Sequence, residues 1–347
     1  MLRIVRRWGL RASGVVVTGV GLYVVAPSLA GLLDAWPRLE NVRPRWFVVL
    51  AVLEVASFVA LWWLTRIALT QPARPRARWR DVASAQLAGN AASRVLPGGA
   101  ATGSVVQGRM LLAGGHPAAL VTSALAAVGV LTTGVLLTLP VLTVPAVLIG
   151  PPPARQLQLG LVVSLLLAVV IVGLGVTVLT LPRLLAGIGL AVGGLVHKVH
   201  RRVTATGTAL ALSRQRARVA AAFRGNWWRS VMAASAHRML DYAALVAAVV
   251  AVGGQARPSM VLLAYVVAAA LAMVPLTPGG LGFVETGLTG TLVLAGVGAD
   301  TAVVATLLYR LASFWMPIPL GALAWAVWTT HRRIGPARRS PAQVPDP

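Results

Sequence analysis

The chain of 347 residues has no cysteine, only eight acidic residues, and one lysine among its 31 basic side chains. Without cysteine it can form neither a disulfide nor a thiolate metal site, and it has no thiol nucleophile. It also lacks the glycine-rich nucleotide loops, the His-Glu-x-x-His zinc motif and the Gly-x-Ser-x-Gly nucleophile turn. We therefore expect no cofactor, no metal ion and no ATP-driven transport by this chain alone.

Long apolar runs are abundant instead. Apolar residues make up 57% of the chain and charged residues 11%. A soluble core helix would carry polar residues on one face, and these runs do not. A transmembrane helix needs about 20 apolar residues, and the longest runs are 14–33, 117–150, 157–181, 258–284 and 311–330. The sequence therefore predicts an all-α, polytopic bundle of transmembrane helices.

The net charge of +23 could indicate a nucleic-acid partner, but the positions of the basic residues argue against one. Four segments hold 22 of the 31 basic residues and alternate with the apolar runs: 3–11, 66–80, 183–229 and 332–339. This alternation is typical of cytoplasmic loops and places both termini in the cytoplasm. Within 198–218 basic and apolar residues interleave, which predicts an amphipathic segment on an anionic lipid surface.

Two Pro-Gly-Gly interruptions lie 181 positions apart, in Leu96–Ala100 and in Thr277–Leu281. Proline removes a helical hydrogen-bond donor and glycine weakens a helix, so each interruption predicts a helix broken inside the membrane. Broken backbone at that depth must be packed in protein or line a cavity. Two such breaks at corresponding places indicate a transporter-like site between two repeats.

If the basic segments are cytoplasmic, an odd number of crossings separates the two breaks, so the two halves have opposite orientations. This predicts about six full crossings and two re-entrant hairpins, as in inverted-repeat transporters. The first repeat spans 1–150, with its break at 96–100. The second spans 151–333, with the basic insert 183–229 and a break at 277–282, and 334–347 form a disordered cytoplasmic tail.

Two alternatives to this topology stay open. Residues 184–196 are apolar enough to cross the membrane, which would reverse everything after them, although the basic residues that follow favour an interfacial helix. The first 30 residues resemble a signal peptide with a cleavage site at Ser28–Ala30. The apolar run continues to Leu33, however, and is long enough to remain as a membrane anchor.

Charged side chains within apolar segments cost about 2.5–3.5 kcal/mol each, so every one needs a partner or a function. The candidates for a polar gate or for ion pairs are Glu54, His237, Arg238, Asp241 and Arg310. Asp241 shares a helical face with His237 and Arg238. This spacing favours either a structural Arg238–Asp241 ion pair or a gate that contacts a lipid headgroup.

The predicted substrate-binding residues surround the two breaks: Arg94, Pro97, Gly98, Gly99, Arg109, Pro278, Gly279, Gly280, Gly282 and Glu285. Half-helices that begin after each break would offer free N–H groups to a phosphate, and Arg94 and Arg109 either add counter-charge or extend to the interface. Glu54 is expected to pair with one of these arginines. Glu285 either accepts hydrogen bonds from free N–H groups of its own helix or binds a cation or a proton in the cavity.

The segment Pro275–Glu285 resembles the signature of the lysylphosphatidylglycerol synthase transmembrane region, also called the flippase-like domain. Residues 90–94, 96–99 and 109–112 are similar to an earlier motif of that family. The resemblance implies a bacterial plasma-membrane protein of two inverted halves with re-entrant helices, which moves lipids between leaflets. It also implies an acidic residue soon after the first glycines, where this chain has Thr102, Ser104 and Gln107 instead.

Multidomain members of the family carry a cytoplasmic aminoacyl-transferase domain, whereas this sequence ends at Pro347. We therefore do not expect synthase activity. The leading hypothesis is a flippase or scramblase-like translocator whose partner is a phospholipid or a lipid-linked substrate. The alternatives are a membrane enzyme that uses Asp241 and Glu285 as acid and base, and a non-transporting scaffold. A homo-oligomer or a partner membrane protein is compatible with each.

Overall fold

The computed structural model describes residues 42–70, 77–96, 98–145, 226–272 and 280–334, and scattered helical positions between 155 and 217. Within these ranges the backbone is helix or connecting turn, without a strand, so the all-α prediction is confirmed. The predicted crossing at 14–33, the ambiguous segment 184–196 and the tail after Ile334 lie outside the described residues.

The described helices fall into two groups. The first contains α1 Pro44–Ala68, α2 Trp79–Val95, α3 Gly99–Ala113 and α4 Ala118–Thr138, which continues into the 3-10 turn Leu139–Thr143. The second contains α5 Trp227–Ala251, α6 Pro258–Leu271, α7 Phe283–Leu294, α8 Ala299–Arg310, the π-helix Leu311–Trp315 and α9 Pro317–Ile334. Proline opens α1 and α6, where its missing N–H has no partner to lose.

Within the described ranges, three helical stretches are long and apolar enough to cross a membrane: Pro44–Ala68, Ala118–Thr143 and Ala299–His331. On α1 an exposed stripe of valines recurs every three or four residues: Val48, Val52, Val55 and Val59. Glu54 and Ser57 of the same helix are buried. An apolar exterior over a polar interior is suited to lipid, and the chain is an integral membrane protein.

Tryptophans are exposed where α1 ends and where α2 and α5 begin: Trp63, Trp79, Trp227 and Trp228. Arg66 near the end of α1 and Arg229 near the start of α5 line one small cleft. These two helix ends therefore lie together. Tryptophan and arginine concentrate at membrane–water boundaries. This end of the bundle therefore lies at one membrane surface.

Neither predicted break is crossed by a continuous helix. α2 ends at Val95 and α3 begins at Gly99, while α6 ends at Leu271 and α7 begins at Phe283. Each pair folds back on itself as a helical hairpin. A Cβ added to Gly103 would lie 2.5 Å from the Gly89 carbonyl oxygen, and one added to Gly287 would lie 2.5 Å from Leu271 Cδ1. Pro97, Pro278 and Gly279 lie outside the described residues.

The helix boundaries recur at the 181-residue offset seen in the sequence. α4 begins at Ala118 and α8 begins at Ala299. The turns before them contain Gly115 and Gly296, whose φ angles are +90° and +97°, a region that favours glycine. Each group therefore consists of a long helix, a helical hairpin and a further long helix.

The two long helices α1 and α5 pack along each other at the centre of the bundle, and α5 also contacts α4, α6 and α8. One part of the core joins Leu50 of α1, Ala248 of α5 and Leu308 of α8. α9 packs closely on α2 at Gly321, which has no room for a side chain beside the Leu87 carbonyl. These contacts direct charged residues from both groups into one interior space.

Candidate functional site

A cavity of about 330 Å³ lies inside the bundle, within the 300–1,000 Å³ range of small-molecule sites. Its polar lining comes from both helix groups and consists of Glu54, Ser57, Asn90, Arg94, His237, Arg238, Asp241, Tyr265, Tyr309, Arg310 and Ser313. Apolar side chains such as Phe58, Leu61, Leu136 and Leu288 complete the wall. All five residues predicted as gate or ion-pair candidates line this cavity, together with Arg94.

Asp241 is held by two tyrosines. The Tyr265 hydroxyl donates to Asp241 Oδ2 and the Tyr309 hydroxyl donates to Oδ1, each over 2.8 Å. Arg238 donates from Nε to the Thr132 carbonyl over 3.3 Å. The predicted Arg238–Asp241 pair is not formed within the 4.0 Å of an ion pair, and tyrosines from α6 and α8 donate to the two carboxylate oxygens.

The close ion pair of the site joins Glu285 of α7 to Arg310 of α8. Arg310 Nε and Nη2 both lie 2.7 Å from Glu285 Oε1. Glu285 stands in the first turn of α7, its Oε2 atom has no hydrogen-bond partner among the described residues, and it is not among the residues that line the cavity. The cationic group that Glu285 binds in this structure is a guanidinium of the protein itself, and a contact with a substrate stays a prediction.

Phe314 brings two arginines close together. The guanidinium carbons of Arg94 and Arg310 lie 5.0 Å and 4.1 Å from the centre of the Phe314 ring, and Arg94 donates from Nη1 to the Phe314 carbonyl. The ring belongs to the π-helix, in which the Met316 N–H bonds over 3.0 Å to the Leu311 carbonyl, five residues earlier. Pro317, which follows this turn, lacks an N–H, and proline is a recognised cause of such irregularities in helices. π turns are also frequent at functional sites.

Glu54 is 3% exposed and stands at the cavity wall on α1. Its carboxyl interacts electrostatically with Asp241 and with Arg94. Among the described residues, its Oε1 atom has no hydrogen-bond partner. The predicted pairing with Arg94 or Arg109 is not formed, since neither guanidinium approaches Glu54 within the 4.0 Å of an ion pair.

His237 joins the two central helices. Its Nδ1 lies 2.8 Å from Ser57 Oγ, and this hydroxyl also lies 3.1 Å from the His237 carbonyl oxygen, to which it can donate. The histidine thus stands at the cavity in a contact between α1 and α5. Across the described ranges, no three His, Asp or Glu side chains are grouped as metal ligands.

The remaining predicted residues that the structure describes are not among the residues that line the cavity. Arg109 is exposed on α3, and no residue of α3 lines the cavity. Among the described glycines of the breaks, Gly98, Gly99, Gly280 and Gly282 have φ angles of +94°, +52°, +72° and +78°. They shape the helix ends but do not line the cavity. Binding of a substrate at the two half-helix N-termini stays a prediction.

Sequence reasoning missed Ser57, Tyr265, Tyr309 and Phe314. The tyrosines carried a signal, because the chain has only four of them. A hydroxyl within an apolar helix needs a hydrogen-bond partner, as a buried charge does. Phe314 carried no such signal, since a phenylalanine in an apolar run is ordinary.

An apolar helical exterior, broken hairpins and an interior cavity lined by arginines and carboxylates define a polytopic membrane protein with a charged internal site. Residues 12–321 match the Lysylphosphatidylglycerol synthase TM region, and the chain belongs to this family. The resemblance predicted from the two motifs is confirmed.

One curated relative is a UPF0104 membrane protein of Methanothermobacter thermautotrophicus (strain Delta H), which is 33% identical over 85 residues. The matched region covers 24% of this chain and 24% of that protein. The chain thus spans about a quarter of the length of that curated relative.

Proposed function

We propose that this protein moves phospholipid or lipid-linked headgroups between the leaflets of a bacterial plasma membrane, as a flippase or scramblase-like translocator. One observation carries the proposal: Arg94 and Arg310 both line a cavity of a membrane bundle, and both guanidiniums also contact the Phe314 ring. Guanidinium groups bind phosphate with a planar fork of donors. Intramembrane charges mark substrate pathways, because their burial is costly.

The cavity wall suits a lipid headgroup. The arginines that line the cavity supply counter-charge to a phosphate. The carboxylates in the same lining accept hydrogen bonds from a polar or cationic headgroup, and the hydroxyls accept or donate them. Phe58, Leu61 and Leu288 supply an apolar wall. A mixed wall of this kind fits an anionic or zwitterionic lipid better than a small inorganic ion.

The proposal includes an inverted-repeat topology in which the α2–α3 and α6–α7 hairpins enter from opposite membrane surfaces. The recurrence of helix boundaries at the 181-residue offset supports it. The repeat limits 1–150 and 151–333, the cytoplasmic termini, and an anionic lipid surface at 198–218 stay predictions. So does association with further copies or with a partner membrane protein.

Translocation without chemical conversion agrees better with the geometry than catalysis does. An enzyme that used Asp241 and Glu285 as acid and base would need both groups at one reacting atom. Asp241 is bound by two tyrosines, while Glu285 is bound by Arg310 and does not line the cavity. We therefore favour transport over the enzyme hypothesis.

The test uses vesicles with reconstituted protein and a phosphatidylglycerol that carries a fluorescent label on its acyl chain near the headgroup. Dithionite added outside the vesicles bleaches only the labels in the outer leaflet. Without translocation these are about half of all labels in a sealed vesicle, because the two leaflets have similar areas. We expect nearly complete bleaching with the wild type.

Arg94→Gln should slow translocation about tenfold, the equivalent of one lost charge-assisted contact. Arg109→Gln, outside the cavity, should retain the wild-type rate. Equal bleaching in wild-type and protein-free vesicles would contradict the proposal.

A further inference from the structure

A second, smaller cleft lies at the end of the bundle where the exposed tryptophans of α1, α2 and α5 stand. It measures about 100 Å³, and its lining comes from the end of α1 and the start of α5: Trp63, Arg66, Ile67, Thr70, Asn226 and Arg229. It shares no lining residue with the interior cavity. Its size is below that of a site for a whole small molecule and suits one compact group.

Arg66 is held in place by residues at the start of α2. Its Nε donates to the Ala77 carbonyl over 2.7 Å, and its guanidinium carbon lies 4.8 Å from the centre of the Trp79 ring. These contacts use Nε and one face of the guanidinium, so its two Nη groups take no part in them. An arginine fixed in this way loses less side-chain freedom when it binds a phosphate.

Arg229 stands where a cation does not suit its own helix. It lies in the first turn of α5, which contains no acidic residue, and the side chain of Asn226 does not cap this helix end. The N-terminus of a helix carries a partial positive charge and unpaired N–H groups, and both favour an anion. Arg229 adds a full positive charge at the same place.

The charges of the cleft are not balanced by a carboxylate of the described residues. Across those ranges, neither Arg66 nor Arg229 has an acidic partner within the 4.0 Å of an ion pair. The two basic segments that meet here, 66–80 and 183–229, contain no acidic residue. The next acidic residue after the first of them is Asp81, in the first turn of α2. Two guanidiniums and a positive helix end thus converge on one cleft, and an anion would neutralise them.

The surface beside the cleft indicates a lipid as the source of that anion. The exposed stripe of α1 continues at the same helical spacing from Val55 and Val59 to Trp63 in the cleft wall. A phospholipid with its phosphate in the cleft can therefore lay its acyl chains along the valines. Arginine and tryptophan at a membrane surface also favour an anionic headgroup. A soluble phosphate ester would make no use of the stripe.

We propose that this cleft binds the phosphate of an anionic phospholipid at the membrane surface, and that the bound lipid joins the end of α1 to the start of α5. The guanidiniums of Arg66 and Arg229 and the first N–H groups of α5 hold the phosphate oxygens. The site is separate from the interior cavity. It requires only that the bundle lies in a membrane, so it does not depend on the proposed transport.

The experiment places one fluorescent reporter at a time, which the absence of cysteine makes possible. Val59→Cys carries the fluorophore on the stripe one helical turn from Trp63. Val130→Cys carries the same fluorophore on an exposed position of α4, which does not line the cleft. The full chain is reconstituted in vesicles of phosphatidylcholine and phosphatidylglycerol, and one of the two lipids has brominated acyl chains that quench the fluorophore on contact.

Quenching gives the binding constant of phosphatidylglycerol relative to phosphatidylcholine at each reporter. We expect a preference of about tenfold for phosphatidylglycerol at Val59→Cys, the equivalent of one charge-assisted contact, and no preference at Val130→Cys. Arg66→Gln and Arg229→Gln should each remove the preference at the first reporter. Arg109→Gln is the matched control, because this exposed arginine lies outside the cleft, and it should keep the preference.

Three results would overturn the proposal: no preference at the Val59→Cys reporter, an equal preference at both reporters, or a preference that persists in Arg229→Gln. Arg229 is exposed, so its variant decides the question if loss of the Arg66–Ala77 hydrogen bond prevents Arg66→Gln from folding. Release of the lipid by glycerol phosphate, but not by sodium chloride of the same ionic strength, would assign the cleft to a soluble phosphate ester. That result would overturn the lipid assignment.

Discussion

Arg94 of α2 donates a hydrogen bond to the carbonyl of Phe314, which lies 220 positions later in the chain. The same guanidinium lies 5.0 Å from the centre of the Phe314 ring, and the guanidinium of Arg310 lies 4.1 Å from it. One aromatic residue of the π-helix thus contacts two arginines. This relationship joins the first helix group to the second.

Phe314→Leu removes the ring over which both arginines lie. We expect a loss of about 1–2 kcal/mol in the free energy of unfolding, because a desolvated cation–π contact contributes about that much. Thermal unfolding in detergent measures it. Phe47→Leu on α1 is the control, since Phe47 packs in the apolar core beside Val42 and Leu50. Equal losses in both variants would show that only packing matters at Phe314.

Glu285→Gln leaves Arg310 buried without its carboxylate, although the side chain keeps its size. Breaking a buried ion pair on one side costs about 3–5 kcal/mol, so we expect strong destabilisation. The double variant Glu285→Gln with Arg310→Met should recover most of this loss, because no uncompensated charge is then buried. A double-mutant cycle in denaturant tests the coupling, and additive losses would contradict it.

Tyr309→Phe removes a hydroxyl that donates to Asp241 and changes little else. Hydrogen bonds to charged groups contribute about 1.5–3 kcal/mol, so this variant should lose stability in that range. Tyr242→Phe is the matched control, because its hydroxyl donates to the neutral carbonyl of Pro258. Its loss should stay near 1 kcal/mol, as expected of a neutral hydrogen bond. Identical losses would show that the charge of Asp241 is unimportant.

The absence of cysteine makes the proposed topology directly measurable. His116→Cys lies in the turn between α3 and α4, and Asp300→Cys lies in the first turn of α8, three residues past the position that corresponds to His116. If the repeats are inverted, a membrane-impermeant maleimide added outside intact cells should label one of these cysteines, and permeabilisation should be needed for the other. Labelling of both from the same side would exclude inversion.

Several features of the fold could be predicted from the sequence because they depend on local chemistry. The apolar runs predicted helices at 117–150 and 311–330, and α4 and most of α9 lie there. The Pro-Gly-Gly interruptions predicted the two breaks, because proline and glycine act on their own turn of helix. The starts of α4 and α8 recur at the 181-residue offset of the two interruptions.

The partners of the charged residues could not be predicted in this way. Helical spacing placed Arg238 and Asp241 on one face, yet Asp241 binds Tyr265 and Tyr309, 24 and 68 positions away. Arg109 and Arg94 both stand near the first break, but only Arg94 reaches the cavity. A position on a helix indicates a direction, not the side chain that a neighbouring helix brings to meet it.

Composition and periodicity alone thus determined that the chain enters a membrane, where its helices break and which side chains need burial or partners, since hydrophobicity and backbone chemistry are local properties. Which carboxylate is held by tyrosine and which by arginine was decided only by the packing of α1, α2, α5, α6, α7 and α8 around one cavity. Hydrogen bonds and ion pairs act over a few ångströms, so they depend on distances between helices that lie far apart in the sequence.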